Sequence, residues 1–421
     1  PLSDSLDPGA LNKYDPRLSD DVYGKNLMFK NVEGYDQAEY GALNLQILDI
    51  VEEALANEYN VVRSTPGLPR RLLDDSEMVN GVKGKINPLD MTTSPGYPWV
   101  KQRIDTNSPG KYEWFDERVE EDGRKMYTMH DDLANAVRLR ELAAQTGQRV
   151  PTIGYTCLKD ETRPLLRVKN GVTRVFICLP MDFNLLIRKY FGMFIATQHS
   201  KAGEQASSVG LDPTTDWKKL FHRLRAKGDQ WEDFDYKNWD QTLHPEFLYR
   251  YARMVNKWYG DANDSPAGKV RIVLVSELAH TFLMIGNKLF VKSGGQDSGC
   301  AITAEINCDV HDILMLYTFL YLLFEEQDKW RRNANFEKLR LCEQILQDVL
   351  SYYRENVAIA LYGDDIVKSC TPEVQQWFNG NTIAPVMEDI GMKITPADKN
   401  SKEFLIKKPE EVTFLKRSFQ P

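Results

Sequence analysis

The sequence predicts an α+β fold in which helices pack against an antiparallel sheet, and three observations lead there. Strand-like runs alternate with long amphipathic helices from about Phe191 onward. Tyr362-Gly363-Asp364-Asp365 lies between the apolar runs 357–361 and 366–367, the pattern of a strand, a tight turn and a second strand. No internal repeat, low-complexity tract or Gly/Ser-rich linker divides the 421 residues, and 42% hydrophobic content suffices for two or three domains sharing substantial cores.

The elements follow in order. Before residue 190, short helices mix with irregular segments punctuated by Thr65-Pro66-Gly67-Leu68-Pro69 and Ser94-Pro95-Gly96-Tyr97-Pro98. Residues 165–168 and 172–176 flank Lys169-Asn170-Gly171 as the arms of a hairpin would. Thr214-Thr215-Asp216 caps an amphipathic run over 217–227 that stops at Gly228, and a strand over 231–236 follows. Next come a helix over 244–259, a loop opened by Gly294-Gly295 and an apolar-faced helix over 303–324. A helix near 336–353 precedes the Asp364-Asp365 hairpin. A helix over 373–390, a strand over 392–395 and a closing hairpin around 407–410 complete the order. This succession implies helices on one face of the sheet.

Composition narrows the chemistry. The six cysteines (Cys157, Cys178, Cys300, Cys308, Cys342, Cys370) contain no Cys-x-x-Cys and the six histidines no His-Glu-x-x-His, which argues against a disulfide framework or a zinc centre. The apolar stretch 313–324 falls short of the roughly 20 residues that cross a bilayer, so no membrane span is expected. The first residues lack the basic start and apolar core of a secretory signal, and the expected location is the cytoplasm. A net charge of −8 speaks against a surface coated in basic residues but leaves room for a basic channel. Lys159, Arg163, Arg167, Lys169 and Arg174 against Asp160 and Glu161 make 159–174 such a local excess.

Three constellations carry chemistry. Adjacent carboxylates at a hairpin tip repel each other, and hard Mg²⁺ ions are natural partners for them. Asp233 and Asp235 share a face of the strand before the 244–259 helix, and either could complete that acidic site. The second constellation is Gly294-Gly295-Gln296-Asp297-Ser298-Gly299 with Thr303 and Asn307, four apart on one helical face; hydroxyls and an amide suit sugar hydroxyls. The third is the basic stretch, whose arginine forks match phosphate oxygens. Each also has a plainer reading: an ordinary surface turn, a solvated acidic strand end, an N-capping serine with two polar helix residues, and a solvated basic hairpin.

In this order the motifs resemble the RNA-dependent RNA polymerases of picornavirus-like positive-strand RNA viruses, order Picornavirales, with an invertebrate virus as the expected source. The resemblance runs from about Met91 to the carboxyl end. It rests on Thr93-Ser94-Pro95-Gly96-Tyr97-Pro98, Lys159-Asp160-Glu161 through Arg174, Asp235-x4-Asp240, Ser298-Gly299-x3-Thr303-x3-Asn307, Tyr362-Gly363-Asp364-Asp365, Thr395-Pro396-Ala397-Asp398-Lys399 and Phe414-Leu415-Lys416-Arg417.

The resemblance implies a right-hand polymerase. Fingers would span 1–190, including fingertip segments and the basic hairpin 159–176; the palm would span 191–278 and 296–421, with a fingers insertion at 279–295. The family continues into a helical thumb beyond the primer-grip hairpin, so a thumb largely or wholly absent is expected here. The implied activity is template-directed addition of NTPs to a primer 3′-hydroxyl, with protein priming by a genome-linked protein. The alternative is a thumb-less RNA-binding scaffold of weak activity; a reverse transcriptase would instead block the 2′-hydroxyl with a bulky residue. Family spacing selects Asp235 over Asp233, so that Asp235, Asp364 and Asp365 would hold two Mg²⁺ ions, replaceable by Mn²⁺, about 3.5–4 Å apart. Lys399 resembles the family's general acid toward pyrophosphate. Asp240, Ser298, Thr303 and Asn307 would select the ribose, and Lys159, Arg163, Arg167 and Arg174 would bind the triphosphate. Thr93, Ser94, Gly96, Tyr97 and Gly299 would guide the template, and Phe414, Leu415 and Lys416 the primer end. Implied partners are RNA, NTPs and a viral replication complex at membranes in the host cytoplasm. Asp297 departs from the proline often found before the family's serine, which leaves an extra acid near the sugar or a looser loop as expectations.

Overall fold

The computed structural model describes residues 6–36, 38–104, 109–398 and 401–419. In chain order, the amino-terminal region supplies helices α1 (Leu27–Asp36) and α2 (Leu45–Val62). Strands β1 (Ile153–Leu158) and β2 (Val175–Cys178) follow, then helices α3 (Met181–Ser200) and α4 (Trp217–Arg225), strand β3 (Trp231–Lys237), and helices α5 (Pro245–Tyr259) and α6 (Pro266–Ala279). After β4 (Phe282–Ile285) and β5 (Lys288–Val291) come the long helix α7 (Thr303–Arg332), strands β6 (Val357–Tyr362) and β7 (Asp365–Cys370), helix α8 (Gly380–Asp389), strand β8 (Lys393–Pro396), and the terminal pair β9 (Thr413–Phe414) and β10 (Arg417–Ser418).

Two four-stranded sheets organise the molecule. One runs β6-β7-β3-β8 and is antiparallel throughout; the other runs β2-β1-β4-β5, with β1 and β4 parallel. In the first sheet the register pairs Ile366 with Phe234 and Thr395 with Asp235, so β3 is interior and ends where the β6–β7 turn begins. Alternation along the strands sends Val357, Ile359 and Leu361 into one core and Ala358 and Ala360 into another.

That division corrects the one-face expectation. Helices α7 and α8 cover one side of the sheet. On the other side, Leu220 and Leu224 of α4 meet Trp231, Val367, Val412, Phe414 and Phe419. Amphipathicity predicted that α4 would lie on something apolar, but it carries no information about which face of the sheet that is. Burial of Phe414 and Phe419, at 2% and 0% exposure, contributes about 1.5–3 kcal/mol each to docking the terminal hairpin.

Local chemistry sets the helix ends. Asn44 caps α2 by accepting from the amides of Gln46 and Ile47, and His244 Nδ1 accepts from the Glu246 amide ahead of α5, which ends at Gly260 in the left-handed region. Helix α7 runs past the expected 324 to Arg332. It is long and apolar enough to cross a membrane, yet its most apolar window is 94% buried inside the protein, as a core helix would be.

Four further expectations shift. The single helix near 336–353 is two, Phe336–Gln347 and Val349–Asn356, because the Asp348 carboxylate caps the second by accepting from the Ser351 amide. The helix over 373–390 breaks likewise, Asn379 capping α8 through the Asn381 and Thr382 amides. Around 407–410 there is no hairpin but a 3₁₀ turn, Pro409–Glu411, and the hairpin lies just beyond it as β9–β10. The proposed arm 165–168 is the helix Leu165–Lys169, which starts after Pro164 and stops at Asn170 and at Gly171 with φ +60°. Thr162–Pro164 pairs instead with Leu6–Pro8, so the basic segment is laced to the amino terminus.

Candidate active site

The acidic turn is built by register. In β6–β7, Tyr362 pairs with Asp365, leaving Gly363 and Asp364 as a two-residue turn with positive φ (+65°) at Gly363. Continuing the β7–β3 register one step beyond Ile366–Phe234 sets Asp365 beside Asp235. Asp233, on the same face of β3, is engaged elsewhere: its carboxylate pairs with the Lys407 ammonium and accepts from the Thr413 amide at 3.2 Å.

Helix α7 braces the turn from beneath. The Gly363 amide donates to Cys308 Sγ at 3.2 Å, and His311 Nδ1 lies 3.2 Å from the Gly363 carbonyl. Burial pushes the His311 imidazolium down to about 3, so the ring is neutral and donates through Nδ1 to that carbonyl. Tyr236 and Trp239 pack against the ring, each with centroids 4.9 Å away.

The electrostatics of the turn call for a cation. Desolvation raises the Asp364 carboxyl, and the charge of Asp235 adds to the rise. Asp365 goes up to about 6, first from desolvation and then from Asp364 and Asp235. Arg174 opposes the shift at Asp364 and Lys416 opposes it at Asp365, which brings the basic segment and the terminal hairpin to the same acidic centre. Among the described residues no three acidic, His or Cys side chains form a closed ligand set. The adjacent carboxylates are nevertheless hard oxygen donors that raise one another's pKa, a donor set that fits divalent magnesium.

In metal-free buffer the strained carboxyl has a measurable signature. Because the folded-state pKa of Asp365 lies above its ordinary value of 3.8, the folded state holds the proton more tightly, and stability from this group falls as pH rises from about 4 to about 6. Asp365→Asn is expected to raise Tm relative to wild type above pH 7 and to lose that advantage near pH 4. Thermal melts across pH check it; a difference that does not vary with pH contradicts the mutual repulsion.

The sugar-facing candidates are less uniform. Tyr35 donates to Asp240 Oδ2 at 2.9 Å. Ser298 Oγ accepts from the Ile177 amide at 3.3 Å, and Gly299 approaches so closely that a Cβ would sit 2.1 Å from the Ile177 carbonyl oxygen. Thr303 Oγ1 is within hydrogen-bond distance of the Asp297 and Cys300 carbonyls, at 3.0 and 2.9 Å, and so closes its own loop. Asn307 is buried, and its Oδ1 has no hydrogen-bond partner among the described residues. Asp297 is neither an extra acid at the sugar nor a loosening element. It is fully buried against the Lys292 ammonium at 2.8 Å and accepts from Thr281.

Among the four phosphate candidates, Arg174 is linked to the acids, its charge interacting with Asp364 and Asp240. Glu161 holds it in a fork and also lies 3.6 Å from Arg163 Nε. Lys159 and Arg167 are exposed, Arg167 on the short helix. The 93–97 loop is shaped from inside: Lys111 Nζ donates to the Asp90 and Thr93 carbonyls at 2.8 and 3.1 Å, Ser94 Oγ accepts from the Gly96 amide, and Gly96 (φ +73°) packs on Leu179 where a Cβ would meet backbone at 2.2 Å. Tyr97 precedes a cis proline on the same loop. Phe414 anchors the terminal hairpin, whose tip residues Leu415 and Lys416 both hold positive φ. A two-residue turn with both φ positive matches the sheet twist, at a strain of about 1–2 kcal/mol for each non-glycine. Lys399 lies outside the described residues.

The viral RNA-dependent RNA polymerase family matches residues 5–421. The chain belongs to that family. Among curated relatives it is 29% identical over 338 residues to the replicase polyprotein of Acute bee paralysis virus (strain Rothamsted), covering 80% of this chain and 17% of that protein. It is 30% identical over 351 residues to the genome polyprotein of Rice tungro spherical virus (strain A), covering 81% of this chain and 10% of that protein. The chain therefore spans only a small part of these relatives, which are polyproteins of the Picornavirales type. Among solved structures, the Sicinivirus 3Dpol RNA dependent RNA polymerase shares the fold, with a TM-score of 0.74, 22% identity, and coverage of 100% of this chain and 76% of that one.

Several residues that shape this candidate site escaped the sequence reading. Tyr35, Lys111, Lys292, Cys308 and His311 each act across loops or between distant segments. Cys308 and His311 fall on the same α7 stretch as Thr303 and Asn307, but a cysteine and a histidine inside an apolar helix read as core, so neither stood out.

Proposed function

We propose that this chain copies a positive-strand RNA genome by adding ribonucleotides to a primer 3′-hydroxyl under direction of an RNA template. The observation that carries the reading is Asp235, at the end of the interior strand, beside the Asp364-Asp365 turn. Asp235, Asp364 and Asp365 would hold divalent magnesium, which when bound makes the primer hydroxyl more acidic and neutralises charge on the triphosphate. The chain's own residues do the positioning. Arg174, already electrostatically linked to Asp364 and Asp240, is suited to hold phosphate oxygens over the acids, with Lys159, Arg163 and Arg167 extending the basic path. Ser298, Asn307 and Asp240 supply polar groups for ribose hydroxyls, and a site made to pair with a hydroxyl discriminates against its absence. The Lys416 tip lies toward Asp365, where a primer end would be presented. Two ions, Mn²⁺ as a substitute, a genome-linked protein primer and work within a membrane-associated replication complex in the host cytoplasm complete the proposal.

Primer extension on an RNA template tests it. Templated NTP addition that requires Mg²⁺ or Mn²⁺ and stops on chelation is the expected result. Template-independent addition would overturn it, and dNTPs used as readily as NTPs would favour reverse transcription.

A further inference from the structure

We infer that Tyr35, on the amino-terminal helix α1, is a positioning residue for sugar selection, fixing the Asp240 carboxylate so that it can accept a hydrogen bond from the nucleotide 2′-hydroxyl. The inference rests on the polymerase reading above and adds a residue some two hundred positions from the motif it serves.

Four observations carry it. Tyr35 is 4% exposed, and its hydroxyl donates to Asp240 Oδ2 at 2.9 Å, a hydrogen bond shielded from solvent. Helix α1 is itself tied down: Asn31 Nδ2 donates to the Gly171 carbonyl at 3.0 Å, and Asn31 Oδ1 accepts from the Thr173 amide at 3.2 Å. The phenol is thus held by the segment that also carries Arg174. The Asp240 backbone is fixed independently, its carbonyl accepting from the Gln296 amide at 2.8 Å, and Gly295 (φ +83°) packs there so tightly that a Cβ would lie 2.2 Å from the Asp240 carbonyl oxygen. Finally, the Lys292 ammonium stands 5.9 Å from the Tyr35 ring centroid, inside the same buried cluster.

The physical consequence follows from geometry. A partly buried carboxylate with neither oxygen constrained rotates about χ2 and finds whichever donor is near. With Oδ2 held by a phenol and the main chain held by the Gln296 loop, Asp240 has one orientation. Burial raises the Asp240 carboxyl, with the Asp364 charge adding to the rise, while the Tyr35 hydrogen bond and the Lys292 charge oppose it. An oriented acceptor distinguishes a 2′-hydroxyl from hydrogen better than a mobile one.

Tyr35→Phe removes the hydroxyl and keeps the ring. Its kcat/KM for NTPs is expected to fall about tenfold more than its kcat/KM for 2′-dNTPs, with Tm little changed. Equal losses for both sugars would show a structural tether, and no loss for either would show no role; either overturns the inference. Equilibrium binding of ATP and 2′-dATP separates this from the parent reading. A wild type that adds no nucleotide but prefers ATP, with the preference lost in Tyr35→Phe, would remove polymerase activity and support the Tyr35 role. A wild type that binds both equally would overturn the Tyr35 role.

Discussion

Asp364→Asn is expected to abolish primer extension, lowering the single-turnover rate by at least about 10²–10³, the loss typical when one preorganised electrostatic group is removed from a transition state. The substitution keeps the size and shape of the side chain and deletes one charge. Its turn should persist, because the Gly363 backbone is held by Cys308 and His311, neither of which depends on the Asp364 carboxylate. Folding should not suffer either, since desolvation and Asp235 both disfavour the ionised carboxylate at this position. RNA affinity, governed by phosphate contacts to basic residues, should remain near the wild-type value and should weaken with added salt in both proteins. Rapid-quench extension with a parallel filter-binding titration measures the two quantities. Wild-type rates in the variant would remove Asp364 from the chemistry, and a matching collapse of RNA affinity would mean that the turn had been disrupted.

What the sequence disclosed and what it hid divide along range. The β6–β7 turn was readable because its evidence is local: two apolar runs, a glycine, and two acids that repel. The shared face of Asp233 and Asp235 was readable from strand alternation, but the commitment of Asp233 to Lys407 was not, because that contact joins segments far apart in the chain. The 165–169 segment misled because Leu-Leu-Arg-Val-Lys is too short for its periodicity to separate strand from helix. What settles it is Leu27 and Val22 packing near Gly171 and Val168, a small core contributed by the amino terminus. Tyr35, Cys308 and His311 were hidden for the same reason. A tyrosine on an amphipathic helix and a histidine inside an apolar one read as ordinary core residues until the partner strand is in place.

Asp297→Ala should cost about 3–5 kcal/mol of stability, the scale observed when one partner of a buried ion pair is removed. Lys292 and Asp297 side chains are both 0% exposed and 2.8 Å apart, a charge contact whose angle lies outside hydrogen-bonding geometry. Removing the carboxylate strands the ammonium in the interior, with the Gly295 carbonyl at 3.3 Å as a remaining acceptor. Much of the loss should therefore reflect the orphaned charge, since the attraction between the two charges offsets the cost of desolvating them. The double variant Lys292→Met/Asp297→Ala should accordingly recover most of the stability, so that the two changes are strongly non-additive. Denaturant unfolding of wild type, both single variants and the double variant closes the cycle. Additive losses would show that Asp297 matters instead through the hydrogen bond its carboxylate accepts from the Thr281 hydroxyl. The same cycle reports on selectivity, because the Gln296 amide that fixes Asp240 and the Ser298 hydroxyl flank Asp297. If the ion pair sets this loop, NTP-over-dNTP preference should fall in Asp297→Ala and return with stability in the double variant.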